Sequence, residues 1–147
     1  KKNRINRSTQ IYLNYRNKVM ISFANPKVIR TFLILIAIHS FAVGINLIIF
    51  PSEWMQKFGF NPITESFFKS QGGVFHIVMT VAYLLGAWKP IKYEILIIFA
   101  ITAKFIATLF LMTYFFINGS TVVILLSAIS DFLMGTILWY LFLKLKT

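Results

Sequence analysis

Six side chains that could do chemistry lie inside or at the rim of long apolar runs: His39, Asn46, Gln71, His76, Lys104 and Asp131. Lys104 stands in "ITAKFIATLFLMTYFF" and Asp131 in "VVILLSAISDFLMGTILWYLFL". A lone charge at the centre of a bilayer costs about 2.5 to 3.5 kcal/mol on insertion scales. A hydrogen-bonded pair facing a bundle interior shares that penalty, so opposite charges at one depth predict an ion pair. At a rise of about 1.5 Å per residue, Lys104 lies about 14 Å in from Ile95, and Asp131 about 14 Å in from Val122 at the other side. In a hydrocarbon core about 30 Å thick the two depths meet at the midplane.

The same counting puts His39 about 12 Å from a boundary at Thr31, level with the pair, and His76 about 6 Å below a boundary at Gly72. Asn46 reaches the level of His76, with Gln71 at the rim. The expectation is two polar layers: His39, Lys104 and Asp131 at the midplane, and Asn46, His76 and Gln71 nearer the outside. The midplane layer reads either as a structural latch or as a proton or ligand site. Two histidines on neighbouring membrane helices raise the question of a b-type haem, but an expected depth difference of about 12 Å is too large for both to bind one iron.

Other site chemistry is restricted by what the sequence lacks. With no cysteine, disulfides, thiolate metal sites, iron–sulfur clusters and cysteine nucleophiles are all excluded within the chain. No paired carboxylates, metal-ligand spacing, phosphate loop or nucleophile elbow is present, and Gly72-Gly73 reads as a site of close helix packing. Small residues beside the charges point the same way: Ala100, Lys104, Ala107 and Thr108 share one helical face, and Ser127, Asp131 and Gly135 another.

The elements that must position these residues follow from composition. Of 147 residues, 58% are hydrophobic and 13% charged, outside the range of soluble domains. The apolar residues form four blocks, each near the roughly 20 residues that a helical span needs. The expected spans are 31–50, 72–88, 95–116 and 122–143, within a transmembrane domain over 25–147. Asn25 can cap the first helix, Pro26 suits its first turn and Pro51 ends it. Thr64 can cap the second, Pro90 stops it, Asn118-Gly119 breaks the third, and Ser120 or Thr121 starts the fourth. Short connections at 89–94 and 117–121 make the later helices antiparallel neighbours. The fold class expected is an all-α, antiparallel four-helix membrane bundle. In "SEWMQKFGF", Trp54, Met55 and Phe58 at helical spacing predict a short interfacial helix between helices one and two.

The formal net charge of +11 is unevenly placed. Twelve of fifteen Lys and Arg residues fall on one predicted side, Lys57 and Lys69 on the other, and Lys104 within the core. By the positive-inside rule both termini face the cytoplasm, which accounts for the basicity without a nucleic acid partner. Residues 1–24 form a basic segment without the apolar core of a cleavable signal peptide, so the first span is expected to remain in the mature protein. The sequence opens on Lys1 rather than Met, which leaves the true start open. Tyr12, Tyr15, Val19 and Phe23 lie on one face of a helix that could rest on anionic lipid, with a disordered basic tail as the alternative.

A first helix ending "AVGINLIIFP", then "SEWMQKFGF", then "FFKSQGGVFHIVMTVAYLLGAWKP" opening the second helix on a glycine pair, resembles the DoxX-like group of small four-helix membrane proteins over about residues 28–145. Most members of that group have no assigned activity; the resemblance implies a link, as in some of them, to a membrane redox system as a subunit beside quinone-reducing or thiol-oxidising partners, and the setting expected is a bacterial cytoplasmic membrane. It supplies no catalytic residue, and the absence of cysteine rules out a thiol relay within this chain. The functional expectation is a non-catalytic accessory subunit of a membrane redox or quinone-linked system, with a larger membrane partner or further copies of itself. The alternatives are a proton-linked carrier using Lys104, Asp131 and His39, and a membrane enzyme holding a lipid-soluble substrate at His76 and Asn46.

Overall fold

The computed structural model describes residues 25–62, 65–119 and 121–146. Among them the chain is helical, with no strand: α1 Pro26–Ile49, α2 Ser52–Lys57, α3 Phe67–Trp88, α4 Glu94–Asn118 and α5 Val122–Lys146. The basic segment 1–24, a cap at Thr64 and a helix start at Ser120 lie outside the described residues.

Local chemistry accounts for most helix ends. The Asn25 side chain accepts from the Lys27 N–H at 2.9 Å, and Pro26 follows in the first turn, where its missing N–H costs nothing. Pro51 cannot extend α1, and Phe50 is already extended at φ −65°, ψ 134°. Gly119 closes α4 in the left-handed region at φ +57°, a conformation that favours glycine. The Thr121 hydroxyl accepts from the Val123 N–H at 3.4 Å at the head of α5. α3 starts at Phe67, five residues before Gly72, so the expected span at 72–88 is the inner part of a longer helix.

α1, α3, α4 and α5 have 24, 22, 25 and 25 residues and are apolar enough to cross a membrane. At the α-helical rise they are about 33 to 38 Å long, against about 30 Å of hydrocarbon. Their outward faces carry large apolar groups such as Phe68, Ile106, Leu109 and Phe116. A membrane bundle needs that distribution, because lipid solvates apolar surface as well as protein does. The molecule is compatible with an integral membrane protein.

The helices pack as two close pairs, α1 with α3 and α4 with α5, joined by sparser contacts between α3 and α4 and between α1 and α5. Ile29, Leu33, Ile36, Tyr83, Ile97 and Leu138 are among the side chains that fill the centre. In the first pair the backbones come close at two glycines. A Cβ on Gly73 would lie 2.7 Å from the Gly44 carbonyl oxygen, and one on Gly44 would lie 2.8 Å from that of Gly73. Both positions exclude any side chain.

Contacts between chain segments define two ends. At one, a shallow cleft of about 350 Å³ brings Pro26 beside Lys89 to Lys92, and Glu94 meets Lys146 at 3.3 Å. At the other, the Lys69 ammonium donates to the Phe50 carbonyl and the Thr121 hydroxyl donates to that of Phe58 at 2.5 Å. Thr121 also sits against Gly59, whose φ of +86° favours glycine. The first end holds Lys27, Arg30, Lys89, Lys92, Lys144 and Lys146 against Glu94; the second holds Lys57 and Lys69 against Glu53 and Glu65. Among the described residues outside the hydrocarbon, the positive excess is therefore confined to one end.

Candidate functional site

α4 and α5 bring Lys104 and Asp131 together, with Nζ 2.5 Å from Oδ1 and side-chain exposures of 5% and 13%. Three small residues permit the approach. Ala100 and Ala128 are fully buried, and a Cβ on Gly135 would lie 3.2 Å from the Lys104 Cβ. One turn along α4, the Thr108 hydroxyl donates to the Lys104 carbonyl at 2.8 Å and lies 3.5 Å from the Ala128 carbonyl. Tyr83 of α3 covers the pair from the other side of the bundle, its ring centroid 5.9 Å from Nζ. That is the outer limit of a cation–π contact, so the ion pair dominates.

The second polar cluster joins α1 to α3. The Ser40 hydroxyl donates to the His76 carbonyl at 3.0 Å and lies 3.2 Å from His76 Nδ1. The Thr80 hydroxyl donates to the same carbonyl at 2.9 Å and lies 3.4 Å from the Ala37 carbonyl. Ser40 is 2% exposed and Thr80 7%.

This arrangement corrects the two-layer expectation. His76 sits across from Ser40, the neighbour of His39 in the chain, so the two histidines are not about 12 Å apart in depth. The polar triplet Lys69-Ser70-Gln71 suggested that the span began at Gly72. His76 is nine residues from the start of α3 and Asp131 nine from the start of α5, about 14 Å along each helix. Both histidines lie within Coulombic range of Lys104 and Asp131. Depth therefore no longer separates the two imidazoles; direction does. Successive residues on an α-helix point about 100° apart. While Ser40 faces α3, His39 is exposed on the outside of the bundle.

Asn46 and Gln71 are exposed as well, and His76 meets Ser40 rather than Asn46. Ser127 is also exposed and donates within its own helix to the Val123 carbonyl at 2.9 Å. Its expected place on the α5 interface is taken by Ala128, because Ala128, Asp131, Gly135 and Leu138 follow the helical repeat more closely. Ser40, Thr80 and Tyr83 were not singled out in the sequence. The signal for Ser40 was its spacing from Gly44, a small-xxx-small pattern that favours close helix approach.

No group of three or more His, Cys, Asp or Glu converges among the described residues. Every buried side-chain nitrogen or oxygen among them has a hydrogen-bond partner. Chemically, the centre is a fixed dipole made by Lys104 and Asp131 beside a hydroxyl–imidazole cluster. Comparison with family models, with curated proteins and with solved structures finds no match for this chain.

Proposed function

We propose that this protein is an accessory subunit of a membrane assembly, working through its helix surfaces. The observation that carries this reading is the closed interior: the buried side-chain polar atoms of the described residues all bond within the chain. A carrier or enzyme needs polar groups that can exchange partners with a ligand. Here Lys104 engages Asp131, and Ser40 and Thr80 engage His76 and its backbone. The resemblance to the DoxX-like group adds the setting, a redox or quinone-linked system of a bacterial cytoplasmic membrane with a larger membrane protein as partner.

In this reading the four long helices run antiparallel, and α2 lies in the extracytoplasmic interface with Trp54 and Phe58 at headgroup level. Both termini are cytoplasmic, as the lysine-rich end of the bundle supports. Purification of the native protein from its own membrane tests the role. A larger membrane protein at fixed stoichiometry is the expected result, and a chain that purifies alone overturns it.

The proton-linked carrier is a second reading. It draws on the position of His39 and His76 within Coulombic range of Lys104 and Asp131. It requires proton flux in liposomes containing this protein alone, where the accessory role requires none.

A further inference from the structure

Where α1 and α5 run side by side at the lysine-rich end, they leave a trough of about 440 Å³ that opens sideways from the bundle. Its walls are apolar, formed by Phe32 and Leu35 from α1 and Ile137 and Leu141 from α5, with Thr31 between them. Lys27 stands at its mouth. Lys144, three residues beyond Leu141 and half-buried, lies outside the lining but on the same face of α5 by helical spacing, its Nζ 5.9 Å from the Tyr140 ring centroid, a contact that a headgroup phosphate would share.

The length of the trough is informative. Lys27 to Leu35 spans eight residues, about 12 Å along the helix. One leaflet of a bilayer holds about 15 Å of hydrocarbon. Counted from the expected span ends at Thr31 and Leu143, the trough runs from headgroup level to about 6 Å into the leaflet at Leu35 and about 9 Å at Ile137. It is apolar along the leaflet and cationic at the water boundary, the pattern of a lipid with an anionic headgroup.

We infer that the α1–α5 trough binds one anionic phospholipid, with an acyl chain along Phe32, Leu35, Ile137 and Leu141 and the phosphate at Lys27 and Lys144. Charge complementarity selects this occupant. A neutral lipid would gain the apolar contacts without the ammonium groups, and basic pockets between membrane helices are known to hold acidic headgroups. Lys89 and Lys92 belong to the same end but line the separate cleft beside Pro26, so they contribute attraction to an acidic surface and not to this site. The inference rests on the bundle lying in a membrane and is independent of the accessory role.

The test is lipid retention. The whole chain is reconstituted in nanodiscs of equal dioleoyl phosphatidylglycerol and dioleoyl phosphatidylcholine, extracted into detergent, and its bound lipids are counted by native mass spectrometry. One retained phosphatidylglycerol is expected. Lys27→Gln should lower its retention about fivefold, and Lys27→Gln with Lys144→Gln about 25-fold, at about one fivefold step per lysine. Lys92→Gln should leave it unchanged. Thr31→Trp, which fills the trough while keeping both lysines, should release it. The lysine variants alter only groups at the water boundary, so they decide the matter even where Thr31→Trp fails to fold.

Equal retention of the two lipids overturns the inference. So does equal loss from Lys92→Gln and Lys27→Gln, which would mean unspecific charge. Displacement by millimolar glycerol phosphate would mean a free-phosphate site and is equally fatal. If the trough is covered instead by residues 1–24 or a second copy, no stoichiometric phosphatidylglycerol will be found.

Discussion

Ser40 reaches from α1 to α3 with its whole hydroxyl engaged, donating to the His76 carbonyl at 3.0 Å while Nδ1 of the same residue lies 3.2 Å away. Polar contacts between membrane helices are worth about 0.6 kcal/mol on average and up to about 1.7. Ser40→Ala should therefore lower the unfolding free energy in micelles by an amount in that range. Asn46→Ala, on an exposed face six residues further along α1, should leave it within about 0.5 kcal/mol. Equal effects would show that the Ser40–His76 contact contributes nothing.

The glycine pair at the start of α3 should split in its tolerance. A Cβ on Gly73 meets Ile48 Cγ1 at 2.6 Å and the Gly44 carbonyl at 2.7 Å, whereas one on Gly72 meets only Leu47 Cδ1 at 3.9 Å. Gly73→Ala should destabilise by about 1 to 3 kcal/mol, as overpacking does, because backbone cannot rotate away. Gly72→Ala should be neutral or slightly stabilising, since alanine is the better helix former. Thermal unfolding of the two variants side by side checks the contrast.

For the buried ion pair a double-mutant cycle is decisive. Lys104→Met or Asp131→Leu alone strands a charge in a low-dielectric interior and should cost about 3 to 5 kcal/mol. The double variant should cost much less than the sum, since it removes both charges. Additive single effects would mean that the two groups do not depend on each other. Activity of the assembly then separates latch from relay: a stable double variant that keeps full activity makes the pair a latch.

Orientation can be read with reporter fusions. A reporter active only outside the cytoplasm should work when fused after Asn61 and fail when fused after Lys146. The reverse pattern would overturn the proposed topology.

Helix boundaries were legible wherever one residue type has one local use: Asn25 as a cap, Pro26 and Pro51 at the ends of α1, Gly119 in the left-handed region. The meeting of Lys104 with Asp131 was legible because two opposite charges at similar depth have few other affordable arrangements. The depth of His76 was not. Lys69, Ser70 and Gln71 look like residues outside a span, yet they lie in the first turns of α3, where the Lys69 ammonium reaches the free carbonyl of Phe50. Composition marks where polarity ends; it does not mark where the hydrogen-bonded helix begins. Ser40 was hidden for a different reason. A hydroxyl in an apolar run often bonds within its own helix, as that of Ser127 does, and only the partner helix tells the two cases apart.

Each polar clasp lies within one close helix pair: Ser40 and Thr80 with His76 between α1 and α3, and Lys104 with Asp131 between α4 and α5. During synthesis α1 and α3 emerge first, and their clasp can close without any group from the later half. When α4 brings its ammonium into lipid, the carboxylate that neutralises it follows on the next helix. The period in which a bare charge must be sheltered is therefore set by the translation of 27 residues, from Lys104 to Asp131. At about 5 to 20 residues per second this is a few seconds. An insertion machinery that retains one helix until the next arrives would be enough to carry this chain through.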